Sequence, residues 1–211
     1  MERICMSDFD LQLANVFKSI NQQNEYIQEK HVEDEASVIA DDGYKKFIPQ
    51  IEENKVRINN QNHTFEVSHF FDERIKLSLH KGNFKPLFDD EDTDKQIRMY
   101  NEQGSFFQIS LYERPVLYKS LIFYKLNLFQ YYQKINTPVT WIKLEKTDNL
   151  NYATFRVVAK DGPYYMVHFS GEIGDQMSFD GSFIVPEGRH EPWLDVYEAS
   201  LHLLEINKEA E

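Results

Sequence analysis

The run Asp89-Asp90-Glu91-Asp92-Thr93-Asp94 sets five carboxylates in six residues, enough to collect a divalent cation or to steer a charged partner. Asp90, Asp92 and Asp94 reproduce the alternating acids that open a calcium loop. The match ends there. Lys95 stands where the sharp turn needs Gly, and Asn101 where a Glu closes the shell. A solvated acidic loop is the simpler reading, and no metal is expected. A second acidic stretch, Glu33, Asp34, Glu35, Asp41 and Asp42, surrounds the apolar Val38-Ile39-Ala40. Both stretches suit encounter with a basic protein surface better than chelation.

A different chemistry is suggested by the segment Tyr164 to Ile173. As a strand it turns Tyr164, Met166, His168, Ser170 and Glu172 to one side, and Tyr165, Val167, Phe169 and Gly171 to the other. His168, Ser170 and Glu172 invite a nucleophile reading. Spacing opposes it: at about 3.3 Å per residue, His168 and Glu172 stand about 13 Å apart, far beyond a hydrogen bond. His168 and Glu172 therefore remain catalytic candidates only if another strand supplies a partner, and the acids Glu172, Asp175 and Asp180 are expected around one sheet edge.

The other histidines form no metal set. His63, Glu66 and His69 have the wrong spacing for a helical zinc motif and fall on a predicted strand. Gly171-Glu172-Ile173-Gly174 lacks the Gly-Lys-Ser/Thr ending of a phosphate loop, and no Gly-x-Gly-x-x-Gly occurs, so no cofactor is expected. Arg114, Lys119, Lys125, Lys134 and Lys143 lie among Tyr and Phe with no acid between Arg114 and Leu144. Such a strip can hold single-stranded nucleic acid. Its alternative is a buried aromatic helix face with lysines along the exposed edge, which the overall charge favours.

That charge is −12, from 35 acidic and 23 basic side chains. Clustered cations are needed to displace counterions from phosphate backbones or anionic lipid, so general nucleic-acid or membrane-surface binding is disfavoured. Cys5 is the one cysteine, which leaves no intramolecular disulfide. Met1 to Asp8 hold no extended apolar run, and Val116 to Ile135 is interrupted by lysines and amides. Neither a signal peptide nor a membrane span is predicted, so the expected location is cytoplasmic.

The elements follow from periodicity. Phe9, Leu13, Val16, Phe17, Ile20 and Ile27 mark a first helix capped by Ser7 or Asp8. Alternation from Lys55 through Leu79 predicts a three-stranded meander, and Phe106 to Tyr112 a further strand. Pro115 opens a helix running to Ile135, apolar nearly all round and so expected to be buried on much of its circumference. A β-hairpin is the competing assignment for Val116 to Ile135. Trp141–Lys146, Tyr152–Lys160, Tyr164–Ile173 and Phe179–Val185 read as a second meander. Pro192 opens a last helix with Leu194, Tyr197, Leu201 and Leu204 inward and Glu198 and Glu205 toward water.

These elements predict an α+β fold, two mainly antiparallel meanders packed with three main helices. A single domain over residues 1–211 is expected, with possible lobes 1–90 and 104–211 divided by the acidic loop. The expected function is a non-catalytic cytoplasmic inhibitor, immunity or adaptor protein of a bacterium or phage, its acidic surface engaging a basic protein partner. The alternatives are a metal- or His-dependent hydrolase and a small-ligand module with an aromatic pocket.

Overall fold

The computed structural model describes residues 42–82, 84–87, 95–101, 104–115, 120–160 and 162–208. The predicted first helix, Glu33, Asp34, Glu35 and Asp41, and the loop carrying Asp89, Asp90, Glu91, Asp92 and Asp94 lie outside them. Among the described residues, a 3-10 turn (Gly43–Lys46) and a short helix α1 (Ile48–Glu52) lead into β1 (Lys55–Ile58), β2 (Gln61–Phe70) and β3 (Ile75–His80). Asn59 and Asn60 both adopt positive φ, which closes the β1–β2 hairpin. β4 (Lys85–Pro86), β5 (Gln96–Tyr100) and β6 (Phe106–Tyr112) follow, then α2 (Leu121–Lys134). The chain continues through β7 (Val139–Lys146), β8 (Leu150–Ala159), β9 (Gly162–Ile173) and β10 (Met177–Pro186) to α3 (Trp193–His202) and β11 (Glu205–Ile206).

The fold is α+β, with every strand pairing antiparallel. One sheet has the order β1-β2-β3-β11, the other β4-β5-β6-β10-β9-β8-β7. The predicted meanders are present. Strand β5 was not foreseen, because Ile97 and Met99 give too short an alternation after an acidic run.

The main core lies between the sheets. Ile75, Leu77 and Leu79 of the smaller sheet meet Phe107, Phe169, Phe179 and Phe183 of the larger one, with Tyr197 and Leu201 of α3 between them. Phe183 stacks on Tyr197 at 4.3 Å between ring centroids. On the opposite face of the large sheet, Tyr124, Leu128 and Tyr132 of α2 pack against Ala153, Phe155, Val157 and Met166.

Helix α2 resolves the choice between helix and hairpin, with two corrections. It begins at Leu121 rather than at Pro115, because the Ser120 hydroxyl accepts a hydrogen bond from the Phe123 amide and so caps the first turn. It is also not buried around its circumference: Ile122, Phe123 and Phe129 are 55%, 46% and 41% exposed. At 100° per residue these three share one face, opposite Tyr124, Leu128 and Tyr132.

Glu198 does not face water. It is buried and pairs with Lys143 at 2.8 Å while accepting the Thr154 hydroxyl at 2.6 Å. Lys143 is correspondingly no member of an exposed basic strip. A β-bulge between Trp141 and Lys143 shifts the register of β7, so that Trp141 pairs with Phe155 but Lys143 with Thr154. The bulge turns Lys143 to the α3 side of the sheet. Lys119 lies outside the described residues, which leaves Arg114, Lys125 and Lys134 of that strip on or near the surface.

Candidate functional site

Helix α2 covers only the β7–β8–β9 side of its sheet face. Beside it the central strands β6, β10 and β9 direct a polar surface outward: Gln108, Ser110 and Tyr112, then Ser178, Asp180 and Ser182, then His168 and Ser170. Their alternate residues Phe107, Ile109, Phe179, Phe183, Val167 and Phe169 fill the core behind. Between this floor and α2 lies a cleft of about 530 Å³, walled by Tyr124, Tyr131 and Tyr132 of the helix and by Tyr164 of β9. Arg114 stands at the end of β6, its guanidinium 5.0 Å from the Tyr112 ring centroid.

Two hydrogen-bonded units organise the floor. In the first, the Gln96 amide donates to Ser110 at 3.0 Å, and beside it the Tyr112 hydroxyl reaches both Asp180 oxygens at 3.1 and 3.2 Å. Burial raises the Asp180 carboxyl above its ordinary range, against the opposing pull of the Tyr112 bond and of Arg114.

The second unit is Tyr124 with His168. The Tyr124 oxygen lies 2.6 Å from His168 Nδ1 and 2.9 Å from the His168 carbonyl oxygen. A hydroxyl has one proton, so both contacts are satisfied together only when Nδ1–H donates to Tyr124 and Tyr124 donates to the carbonyl. That arrangement leaves Nε2 of a neutral imidazole as an acceptor. Burial first, then the Asp180 charge, lifts the Tyr124 hydroxyl well above the ordinary tyrosine value, and burial lowers His168 to about 4.

The lowered value has a measurable consequence. His80, next to His63 on the smaller sheet, is also held at about 4 by burial and then by the His63 charge. An unfolded chain takes up these protons near pH 6.5, whereas the folded chain refuses them until about pH 4. Their contribution to stability is complete above 6.5 and is lost as pH falls toward 4, by up to about 1.4 kcal/mol per pH unit for each histidine. His168→Gln is expected to reduce the slope of stability against pH by about one proton. Urea unfolding at pH 7, 6 and 5 measures it, and an unchanged slope contradicts the assignment.

The sequence candidates are thus divided. His168 lies in the cleft with a partner from another element, the Tyr124 hydroxyl. Glu172 lies beyond Ser170 and lines a separate pocket of about 190 Å³ with Asn151 and Lys208. Asp180 is not at a sheet edge, since β10 runs between β6 and β9, and Asp175 lies exposed outside both strands, in the β9–β10 turn. Asp42 is exposed and bonded to Lys45 at 2.7 Å, which holds its carboxyl below the ordinary range. No group of three or more His, Cys, Asp or Glu gathers as a metal set among the described residues. The floor formed by Tyr112 and Asp180, with Tyr124 as its wall, was missed, although the alternation Ser178-x-Asp180-x-Ser182 between phenylalanines is visible in the sequence.

No known family matches this chain by sequence, and no curated protein does. Solved structures do match. The solution structure of cyanobacterial PsbP (CyanoP) from Synechocystis sp. PCC 6803 aligns with a TM-score of 0.55 at 7% identity, covering 68% of this chain and 92% of that one. The crystal structure of the Saccharomyces cerevisiae Ran-binding protein Mog1p aligns with a TM-score of 0.51 at 12% identity, covering 68% and 96%. At such identities the likeness is one of fold. Among the described residues no helix is long and apolar enough to cross a membrane.

Proposed function

We infer that this chain is a non-catalytic protein-binding module of inhibitor, immunity or adaptor type, acting in the cytoplasm on a partner with a basic surface. The observation that supports it most is the outer face of α2, where Ile122, Phe123 and Phe129 stand exposed. Large apolar side chains grouped on one exposed helix face suit an interface, with aromatic anchors supplying most of the binding energy. The net charge of −12 favours a basic partner and a fast, salt-sensitive encounter. Mog1p, similar in fold, is named as Ran-binding, which agrees with protein recognition. A tyrosine-walled cleft also fits the small-ligand alternative, in which the same floor holds a free molecule.

The test is a pull-down from host lysate with the tagged chain, eluted by rising salt. A stoichiometric basic partner released by salt is expected. The double variant Phe123→Ser, Phe129→Ser should weaken its capture by at least about 30-fold, the effect of losing one strong anchor. The fold should remain intact, since both rings are exposed. Capture that is insensitive to salt contradicts the electrostatic reading, and capture unaffected by the double variant removes α2 from the interface.

A further inference from the structure

We propose that the cleft beside α2 is a receptor for one cationic side chain, a lysine ammonium or arginine guanidinium presented by the protein partner. The inference rests on the protein-binding reading and names the group that this site would take.

The cleft presents acceptors that lack a matching donor. Gln96 donates to Ser110, and two residues along β6 the Tyr112 hydroxyl donates to Asp180. Tyr112 has one hydroxyl proton for two carboxylate oxygens, so at any instant one of them lacks that donor. Among the described residues no lysine or arginine forms a salt bridge with Asp180; Arg114, placed over the Tyr112 ring, acts on that carboxyl only at longer range. Across the cleft, Tyr124 commits His168 to the Nδ1–H tautomer and leaves Nε2 as a second acceptor.

The strand register places the two acceptors in reach of one group. Asp180 pairs with Ser170 and Ser182 with His168, so Asp180 and His168 are diagonal neighbours on the same face. Such neighbours stand about 7–8 Å apart, which leaves space for a donor-rich head group between them. The walls agree with this. Tyr124, Tyr131, Tyr132 and Tyr164 border the cleft, and tyrosine faces attract ammonium and guanidinium groups. A neutral hydroxylated ligand also supplies donors but gains nothing from the carboxylate charge; an anion is repelled by it.

The test uses Nα-acetyl-lysine methylamide and Nα-acetyl-arginine methylamide as probes, with the Nε-acetylated lysine analogue as the neutral control. Titrations are followed by amide NMR on the full chain. Saturable shifts at Asp180, Tyr112 and His168 are expected with at least one cationic probe, and about tenfold weaker binding of the neutral analogue. Asp180→Asn, which keeps the shape of the side chain, should weaken binding at least tenfold. Tyr131→Ala, at an exposed wall position, should weaken it several-fold without disturbing the fold. Equal binding of the neutral analogue, or undiminished binding by Asp180→Asn in a variant whose spectrum is otherwise native, overturns the proposal. If a basic partner is captured from lysate and Asp180→Asn leaves its affinity unchanged, this inference falls while the protein-binding reading stands. If the cationic probe binds the cleft but no basic partner is retained, the site stands and that reading falls.

Discussion

Lys143→Ala is expected to destabilise the fold by about 3–5 kcal/mol, the usual cost of removing one member of a buried ion pair. Both partners are nearly sealed from solvent, with side-chain exposures of 7% for Lys143 and 5% for Glu198. The ammonium lies 2.8 Å from Glu198, 3.3 Å from Glu145 and 4.4 Å from the centre of the Tyr44 ring. Glu145 in turn accepts the Tyr152 hydroxyl, and that hydroxyl lies 3.2 Å from His202. Burial opposes the lysine charge, but its bonds to the two carboxylates prevail and hold its pKa above the ordinary value. Glu198 is raised by burial, with Lys143 and Thr154 acting against the rise.

Without the lysine, Glu198 keeps the Thr154 hydroxyl as its donor inside the core, so it must either remain charged at high cost or take up a proton. Protonation limits the loss, which is why the expected effect is several kcal/mol rather than the far larger penalty of an isolated buried charge. Urea unfolding at pH 7 measures it. Lys143→Met combined with Glu198→Leu should recover most of the stability, since the buried Glu198 charge leaves with its partner while Glu145, a quarter exposed, keeps the Tyr152 hydroxyl. A loss below about 1 kcal/mol in Lys143→Ala contradicts the reading of this pair as a buried ionic link between β7 and α3.

The same pair marks the boundary of what the sequence discloses. Period-two alternation located β1 to β3 and β6 to β10, because each strand has one core-facing row and a two-residue period tolerates no ambiguity of face. Within β7 it misplaced one residue: the bulge after Trp141 inserts one residue and reverses the alternation, so Lys143 was assigned to a surface strip. Glu198 was placed in water for the related reason that a lone acid on a helix usually is; only its pairing with a residue 55 positions away makes burial tolerable.

The cleft was half legible. His168 and Ser170 were correctly placed on one face of β9 from that strand alone. Joining them to Asp180 and Tyr112 requires the order β6-β10-β9, in which β6 precedes β10 by a helix and three strands. No local pattern encodes that pairing. The outer face of α2 failed in the opposite direction. A helix apolar all round reads as buried, yet one of its two apolar faces has no cover from the described core.

Gly181→Ala is expected to cost about 3 kcal/mol, the upper end for overpacking a core position. A Cβ built there would collide with Cζ of Phe169 and stand 2.7 Å from the Gln108 carbonyl oxygen. The cause is the register. Gly181 pairs with Phe169 across β10 and β9, and Gly171 pairs with Phe179 on the same two strands, so each ring lies over the glycine opposite. The two crossed pairs let large rings fill the space between the sheets while the strands keep their spacing. The requirement is steric and not conformational: Gly181 has no positive φ, unlike Gly174, whose Cβ would meet nothing. Combining Gly181→Ala with Phe169→Leu should restore only part of the loss, because the smaller side chain removes the ring but not the clash with the Gln108 carbonyl. Chemical unfolding of the single and double variants separates the two contacts. Full recovery in the double variant assigns the whole cost to the ring; a single-variant loss below about 0.5 kcal/mol contradicts the crossed-pair account. Because Asp180 and Ser182 flank Gly181 on the opposite face, any backbone shift that relieves the clash also displaces the floor of the cleft. Gly181→Ala should therefore weaken cation binding there in step with its loss of stability, while the exposed-face variant Phe123→Ser, Phe129→Ser leaves that binding unchanged.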